Sequence, residues 1–359
     1  MSITPPSAVI RTLSVFCVVL FAVARCARAQ DNPAQPFTVR STSNLVLVPT
    51  QVQTRKGDMI YTLTAEQFVV EDNGVRQTIK LDEDTDVLGL SLVVVVQCSR
   101  ESYRQFNNMQ GLIAMVDDLT GGAPRRVAVV SYGSEPELVA EEGDPAFSSD
   151  AGKIGHNLGE VQPCEDGGAV TLDAVDFANH LFDDDKAPDA AHNRRAILLI
   201  GETRDHGSKI KPAEVVANLG RSNTVVDAVS FDPGKTSIVD SLIHGRMGPG
   251  PLGLLVMAVE ALKKNVPHTL AELSGGEYTN FTTQHGFDNG IHRLANHIHN
   301  YYLISFQPTG DKGGTVTPGM HRISVKIPDY PDAKIRSRLT YYAGDAPPPD
   351  LPDEDEKKK

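Results

Sequence analysis

Tryptophan is absent from this 359-residue chain, and aromatic residues make up only 6% of it. Stacking platforms for single-stranded nucleic acid or for sugars are therefore not expected. No basic tract interrupts the acidic balance of 46 Asp and Glu against 34 Lys and Arg, a net charge of −12. Phosphate-backbone binding is thus excluded, and no nucleic-acid partner is expected. Four cysteines are too few for a miniprotein stapled by disulfides. A Walker loop, a Rossmann fingerprint, a Gly-x-Ser-x-Gly elbow and an HExxH motif are all missing, which removes the usual routes to nucleotide, hydrolase and zinc chemistry. Apolar residues are not lacking. At 40% hydrophobic and 22% charged, the chain has the material for about two folded domains.

The one apolar run of note is Thr12 to Ala24 (TLSVFCVVLFAVA). It is too short to span a bilayer as a helix, which takes about 20 residues. Ala27-Arg28-Ala29 follows, a small-residue cleavage site, so residues 1–29 read as a secretory signal peptide. A lipoprotein signal on Cys26 and an uncleaved anchor are the rival readings. Cleavage removes Arg11, Arg25 and Arg28 with no acid, leaving a still more acidic chain. Cys17 and Cys26 leave too, and Cys98 and Cys164 remain as an even pair in an oxidising compartment. The mature protein is expected to be secreted or periplasmic, touching a membrane only through its transient leader.

Residues 30–36 form a loose polar terminus. Residues 37–85 read as an N-terminal β unit: alternating Val and Leu from Asn44 to Gln53, a short strand from Ile60 to Thr62, a capped turn at Thr64, then Phe68 to Val75. There an Asn73-Gly74 hairpin turn leads into a return strand over Gln77 to Leu81. Strand and helix patterns alternate over residues 86–300. Continuous apolar strands run at Leu88 to Val96, Arg126 to Tyr132, Ala196 to Ile200 and Thr224 to Ser230. Helical spacing covers Tyr103 to Leu119, Val170 to Leu181, Pro212 to Leu219, Leu252 to Lys264 and Phe287 to His299. The expected fold class is α/β: a doubly wound, mostly parallel sheet. Residues 301–343 return to alternating strands (YYLISFQ, MHRISVKI, IRSRLTYY), expected to pair with 37–85 in a flanking β-sandwich-like unit. The Pro-rich, charged tail 344–359 is expected to be disordered.

An open α/β sheet binds its ligands at the carboxyl ends of the strands. Three such ends are rich in polar residues: Gln97-Cys98-Ser99-Arg100-Glu101, Cys164 to Thr171 (CEDGGAVT), and Gly201 to Ser208 (GETRDHGS). Their hydroxyls and carboxylates suit a hard divalent cation such as Mg²⁺. Elsewhere, His285, His292, His297 and His299 read as surface histidines, and Asp183-Asp184-Asp185 as a solvated helix exit.

At this point a resemblance is visible. Asn44 to Pro49 (NLVLVP), Leu63 to Val75 (LTAEQFVVEDNGV), Leu273 to Glu277 (LSGGE) and Tyr301 to Pro308 (YYLISFQP) resemble, in order and spacing, von Willebrand factor type A domain proteins. The similarity is to the acidobacterial secreted branch. It implies a metal-ion-dependent adhesion site with Asp-x-Ser-x-Ser on the first loop, Thr on the second and Asp on the third. Here Gln97 stands for the Asp, Ser99 matches, and Glu101 replaces the second Ser. The Thr position falls on Ala169, with Thr171 as a substitute, and Glu202 stands for the last Asp; Asp205 and Ser208 fit the branch's usual continuation. The expected site is degenerate: Ser99, Glu101, Thr171 and Glu202 are its remaining metal candidates, for Mg²⁺ or another divalent cation, beside the alternative that the ion is lost.

In this fold Cys98 and Cys164 crowd one sheet edge, where a disulfide would tie together loops that the ion normally bridges; two separate thiols are the alternative. The resemblance implies non-catalytic binding of another protein, across a face of Gln97, Arg100, Gly168, Ala169, Arg204, Asp205 and Ser208. No nucleophile lies beside a base, so no enzyme is expected. A cation-dependent receptor and a structural envelope protein remain the alternatives.

Overall fold

The computed structural model describes residues 45–82, 88–109, 111–120, 124–231, 250–310 and 313–351. The expected leader, the terminus 30–36 and residues 352–359 lie outside them.

Four strands come first: β1 (Val46–Gln53), β2 (Val69–Asp72), β3 (Val75–Arg76) and β4 (Ile79–Asp82). Asn73 and Gly74 have φ of 48° and 86°, the positive pair that a tight hairpin needs, so the Asn-Gly signal joins β2 to β3 as expected. Two expectations fail. Ile60 to Thr62 is not a strand, because the Tyr302 hydroxyl takes up the local main chain, donating to the Ile60 carbonyl (2.8 Å) and accepting from the Leu63 amide (3.0 Å). The return strand over Gln77 to Leu81 is split. Gln77 exchanges three side-chain hydrogen bonds with Thr309, and β4 then joins a different sheet.

The middle of the chain alternates: β5 (Leu90–Gln97), α1 (Leu112–Thr120), β6 (Arg125–Tyr132), β7 (Pro136–Leu138), α2 (Ala151–Glu160), α3 (Thr171–Asp184), β8 (Arg194–Gly201), α4 (Pro212–Ser222), β9 (Val225–Ser230), α5 (Gly250–Leu262), α6 (Val266–Ser274), β10 (Tyr278–Asn280) and α7 (Gln284–His299). The six strands form one sheet in the order β10-β9-β8-β5-β6-β7, parallel except for β7. Strand side chains alternate faces, so Val93 and Val95 enter one core with α3, α4, α5 and α6, while Leu92, Val94 and Val96 enter another with α1, α2 and α7. The helix expected over Tyr103 to Leu119 is instead a 3₁₀ stretch, Arg100–Asn108, followed by α1; Asn107, Asn108 and Gly111 are poor formers of a continuous α-helix. Neither α2 nor α6 was read from periodicity. Three glycines dilute the apolar stripe of α2, which the Asp150 carboxylate caps by accepting from the Lys153 amide (2.8 Å).

The last strands are β11 (Tyr302–Phe306), β12 (Gly319–Lys326), β13 (Lys334–Ser337) and β14 (Thr340–Ala343). They interleave with the first four in two sheets, β13-β1-β11-β4 and β14-β12-β2-β3. Val48, Val52, Phe68, Val70, Ile304, Phe306 and Ile323, drawn from both ends of the chain, share one buried cluster. The segment after Ala343 is not free as far as Leu351. Arg221 donates to the carbonyl of Gly344 (2.9 Å) and to that of Ala346 (2.5 Å), and Leu351 packs on the central core. This corrects the expected tail for its described part.

Candidate functional site

Parallel register aligns Gln97, the last residue of β5, with Tyr132, the last of β6, and places Gly201 at the end of β8. The loops that follow therefore meet at one edge. Gln97 is fully buried. Its Oε1 accepts from the Glu202 amide (2.8 Å) and its Nε2 donates to Ser99 Oγ (2.7 Å). A backbone N–H can only donate, which fixes the carboxamide orientation and leaves the NH₂ group facing Ser99. A Cβ on Gly201 would lie 2.2 Å from the Tyr132 hydroxyl and 3.0 Å from Gln97 Oε1; glycine is what lets β8 close on this pair.

The second loop is held covalently. Cys98 and Cys164 form a disulfide with Cα atoms 5.2 Å apart, inside the range such a bridge requires. Beside it the Cys164 amide donates to the Cys98 carbonyl and the Arg100 amide to the Asp166 carbonyl, both at 2.8 Å. The Asp166 carboxylate gathers the Ser134 hydroxyl, the Ser134 amide and the Gly168 amide. Those donors, the Ser134 hydroxyl foremost, hold its pKa down to about 2. Gly168 is required here, since a Cβ would lie 2.6 Å from Ser134 Cα. A group with a depressed folded pKa contributes stability that is present above its ordinary value of 3.8 and lost as pH falls through about 2. Asp166→Asn should therefore lower Tm at neutral pH, with the gap to wild type closing in acid. Thermal unfolding at both pH values checks this, and an equal gap at both would refute it.

The third loop caps a helix it does not belong to. Val170, at the N-cap of α3, has no side chain to offer. Instead Asp205 Oδ1 accepts from the Leu172 amide (3.0 Å) and Ser208 Oγ from the Asp173 amide (3.1 Å). Asp173 reciprocates by accepting from the amides of Lys209 and Ile210. The main chains of Ala169 and His206 bond each other in both directions. Asp205 and Ser208, expected on the binding face, thus satisfy orphan helix amides. Gln97 and Ala169 of that face are buried, as is the metal candidate Ser99, and Gly168 is half-buried.

These positions fit a divalent cation poorly. The Ser99 hydroxyl receives an N–H from Gln97 where an ion would need an oxygen ligand. Thr171 is the first residue of α3 and fully buried; its Oγ1 lies 3.3 Å from the Tyr132 hydroxyl and 3.4 Å from the Ala169 carbonyl. Glu101 is exposed, and Glu202 carries His206 Nε2 at 3.7 Å. Among the described residues no three His, Cys, Asp or Glu side chains converge on one point. Mg²⁺ demands near-octahedral oxygen geometry, and a carboxamide NH₂ is the wrong sign of dipole for it.

What the edge leaves to solvent is charged. Arg100, Glu101 and Arg204 are exposed, one guanidinium nitrogen of Arg100 donating to the Glu165 carbonyl (3.3 Å). Beside them lies a groove of about 560 Å³ lined by Arg100, Glu101, Tyr103, Arg104, Glu202 and Phe231. Sequence reasoning missed Tyr103, 66% exposed, and Arg104. Their helical spacing had assigned them to a helix, and a Tyr and two Arg within five residues was the signal available. Two other readings change. Asp185 is a buried ion-pair partner of Arg126 (2.7 Å), not a solvated exit. His297 is buried at 3.4 Å from Asp227, not on the surface.

No family model matches the chain, and no curated protein does. Among solved structures it is similar to proximal thread matrix protein 1 of the mussel byssus, with 13% identity and a TM-score of 0.43 over 64% of this chain. Another structure of that mussel protein has a zinc-occupied MIDAS motif. It is also similar to BatB of Bacteroides thetaiotaomicron, with 14% identity and a TM-score of 0.38 over 58% of this chain and 100% of that one. The likeness to an aerotolerance-related membrane protein of Bacteroides fragilis is comparable, with 16% identity and a TM-score of 0.37 over 58% of this chain and 99% of that one. The matched region spans 50% of the mussel protein's length.

Proposed function

We propose that this chain is a non-catalytic, extracytoplasmic protein-binding module of von Willebrand factor A-like architecture, with a flanking β-sandwich-like unit, and that it engages its partner without a metal ion. One observation carries the reading: Arg100, Glu101 and Arg204 stand exposed on loops fixed by the Cys98–Cys164 bridge and by the Gln97 hydrogen bonds. Fixed loops lose little entropy on binding, and arginine is enriched among residues that dominate interfaces. Arg100 and Arg204 are assigned to a partner's carboxylates. The disulfide suits an oxidising compartment, and no helix among the described residues is long and apolar enough to cross a membrane.

The test is capture of a saturable partner from envelope extract by the oxidised full chain, first in chelator and then with excess Mg²⁺ or Mn²⁺. Arg100→Ala with Arg204→Ala should weaken that binding by about tenfold or more, since a hydrogen bond to a charged group contributes about 1.5–3 kcal/mol. Unchanged binding by the double variant refutes the arginine assignment. Binding that appears only on adding Mg²⁺ or Mn²⁺ favours a cation-dependent receptor, and no saturable partner favours a structural envelope role.

A further inference from the structure

A second polar cluster lies away from the loop edge, inside the β strands built from the two ends of the chain. His321 on β12 is buried. Its Nδ1 lies 2.7 Å from Asp72 Oδ1 on β2, and its Nε2 lies 2.6 Å from the Thr317 carbonyl. The Tyr341 hydroxyl on β14 donates to the other Asp72 oxygen (2.6 Å). Both ring nitrogens therefore face acceptors. A neutral imidazole has one N–H and can serve only one of them; an imidazolium serves both. The Asn73 amide nitrogen sits 3.1 Å from Nδ1, its oxygen being committed to the Arg322 amide.

We propose that His321 is a proton-held clasp: charged, it joins β2, β12 and the main chain of Thr317, and losing its proton releases one of the two acceptors. Asp72 and Tyr341 are the ionisable groups facing the ring; Asn73 and Thr317 bring uncharged atoms. Burial opposes the charge on His321, but the hydrogen bonds to Asp72 and Thr317 and the Asp72 charge outweigh it and raise the pKa above 6.5. Burial and Asp72 push the Tyr341 hydroxyl upward, so it remains a donor throughout. The sign follows. A raised folded pKa means the clasp is fully closed below the ordinary histidine value and opens as pH rises through the folded one. Release strands either the buried carboxylate of Asp72 or the carbonyl of Thr317. Pro318 and Gly319 follow directly, and a Cβ on Gly319 would lie 3.0 Å from Pro251 at the start of α5, so the freed segment is one packed against the central layers.

The experiment follows histidine ring resonances and backbone amide exchange of the full chain between about pH 5 and about pH 9, across the range where histidines change charge. His321 should titrate above 6.5. Exchange at residues 313–319 should rise about tenfold beyond its base-catalysed trend for each unit by which that pKa is raised. His321→Gln keeps a neutral donor but cannot titrate, and should follow the base-catalysed trend alone. Should that variant fail to fold, Tyr341→Phe replaces it. Removing the hydroxyl takes away the hydrogen bond that shares the Asp72 charge with Tyr341, leaving more of it to the ring, and the His321 midpoint should move further upward. A His321 midpoint at or below the ordinary value, wild-type exchange without the excess, or a midpoint unmoved by Tyr341→Phe would each overturn the clasp.

Discussion

Replacing Cys98 and Cys164 together by serine should lower unfolding stability by about 4 kcal/mol and Tm by several degrees. The bridge closes a separation of 66 residues, and loop-closure entropy for a cross-link of that length gives about 4 kcal/mol within an observed range of about 2–5. The loss should exceed the generic value in one respect. The Cys164 amide to Cys98 carbonyl bond and the Arg100 amide to Asp166 carbonyl bond flank the bridge, and both weaken when the loops it ties are let go. Chemical denaturation of the oxidised wild type and the double variant measures the difference. The denaturant slope should rise in the double variant, because the unbridged chain unfolds to a more expanded state, so the comparison is made on extrapolated free energies rather than on midpoints. A loss under about 1 kcal/mol would mean that the hydrogen bonds alone hold the edge.

Gly275→Ala should cost about 2–5 kcal/mol, the sum of two independent penalties. Gly275 ends α6 in the left-handed region, with φ of 86°, where an L side chain costs about 1–2 kcal/mol. Its Cβ would also lie 2.6 Å from the Arg338 amide nitrogen and 2.9 Å from its Cα, contacts with backbone that cannot rotate away; overpacking of that kind costs about 1–3 kcal/mol. Arg338 cannot yield easily. Its side chain is 1% exposed and donates to the Thr224 carbonyl (3.0 Å), and the Leu339 amide after it donates to the Leu273 carbonyl. Equilibrium unfolding of the variant checks the magnitude. Recovery of stability by Gly275→Asn relative to the alanine would isolate the backbone share, because asparagine tolerates that conformation best among side-chain-bearing residues.

The layer order was legible because β5, β6, β8 and β9 are continuous apolar runs and their helices carry plain periodicity, a pattern with few alternative packings. The Asn73-Gly74 turn was legible as a local backbone requirement, whereas the compartment argument left the Cys98–Cys164 bridge and two separate thiols both open, a choice made only by the 5.2 Å Cα separation. The adhesion-site motif gave positions but not directions. Which way Gln97 turns depends on the Glu202 amide, more than a hundred residues away in sequence, and Asp205 and Ser208 look like binding-face residues until α3 is seen to lack a cap of its own. Thr171 was ambiguous for want of one fact, that α3 begins there. His321 gave no signal at all, because its partners come from β2, β14 and the loop before β12, which only the folded sheets bring together.

β1 lies between β11 and β13, so its partners are synthesised last. Val46 pairs opposite Phe306, 260 positions later, a separation at which closing the loop unaided is slow. A chain emerging from its N-terminus therefore carries Val46, Val48 and Val52 uncovered until the central sheet has formed. Folding of the middle is what shortens the loop, because α7 ends at His299 and hands Tyr302 to Phe306 directly to the waiting strand. Contact order therefore favours one sequence of events, the middle before the two ends. Any truncation before Tyr302 leaves β1 and β4 without the strands they pair with, and leaves β2 only its hairpin partner β3.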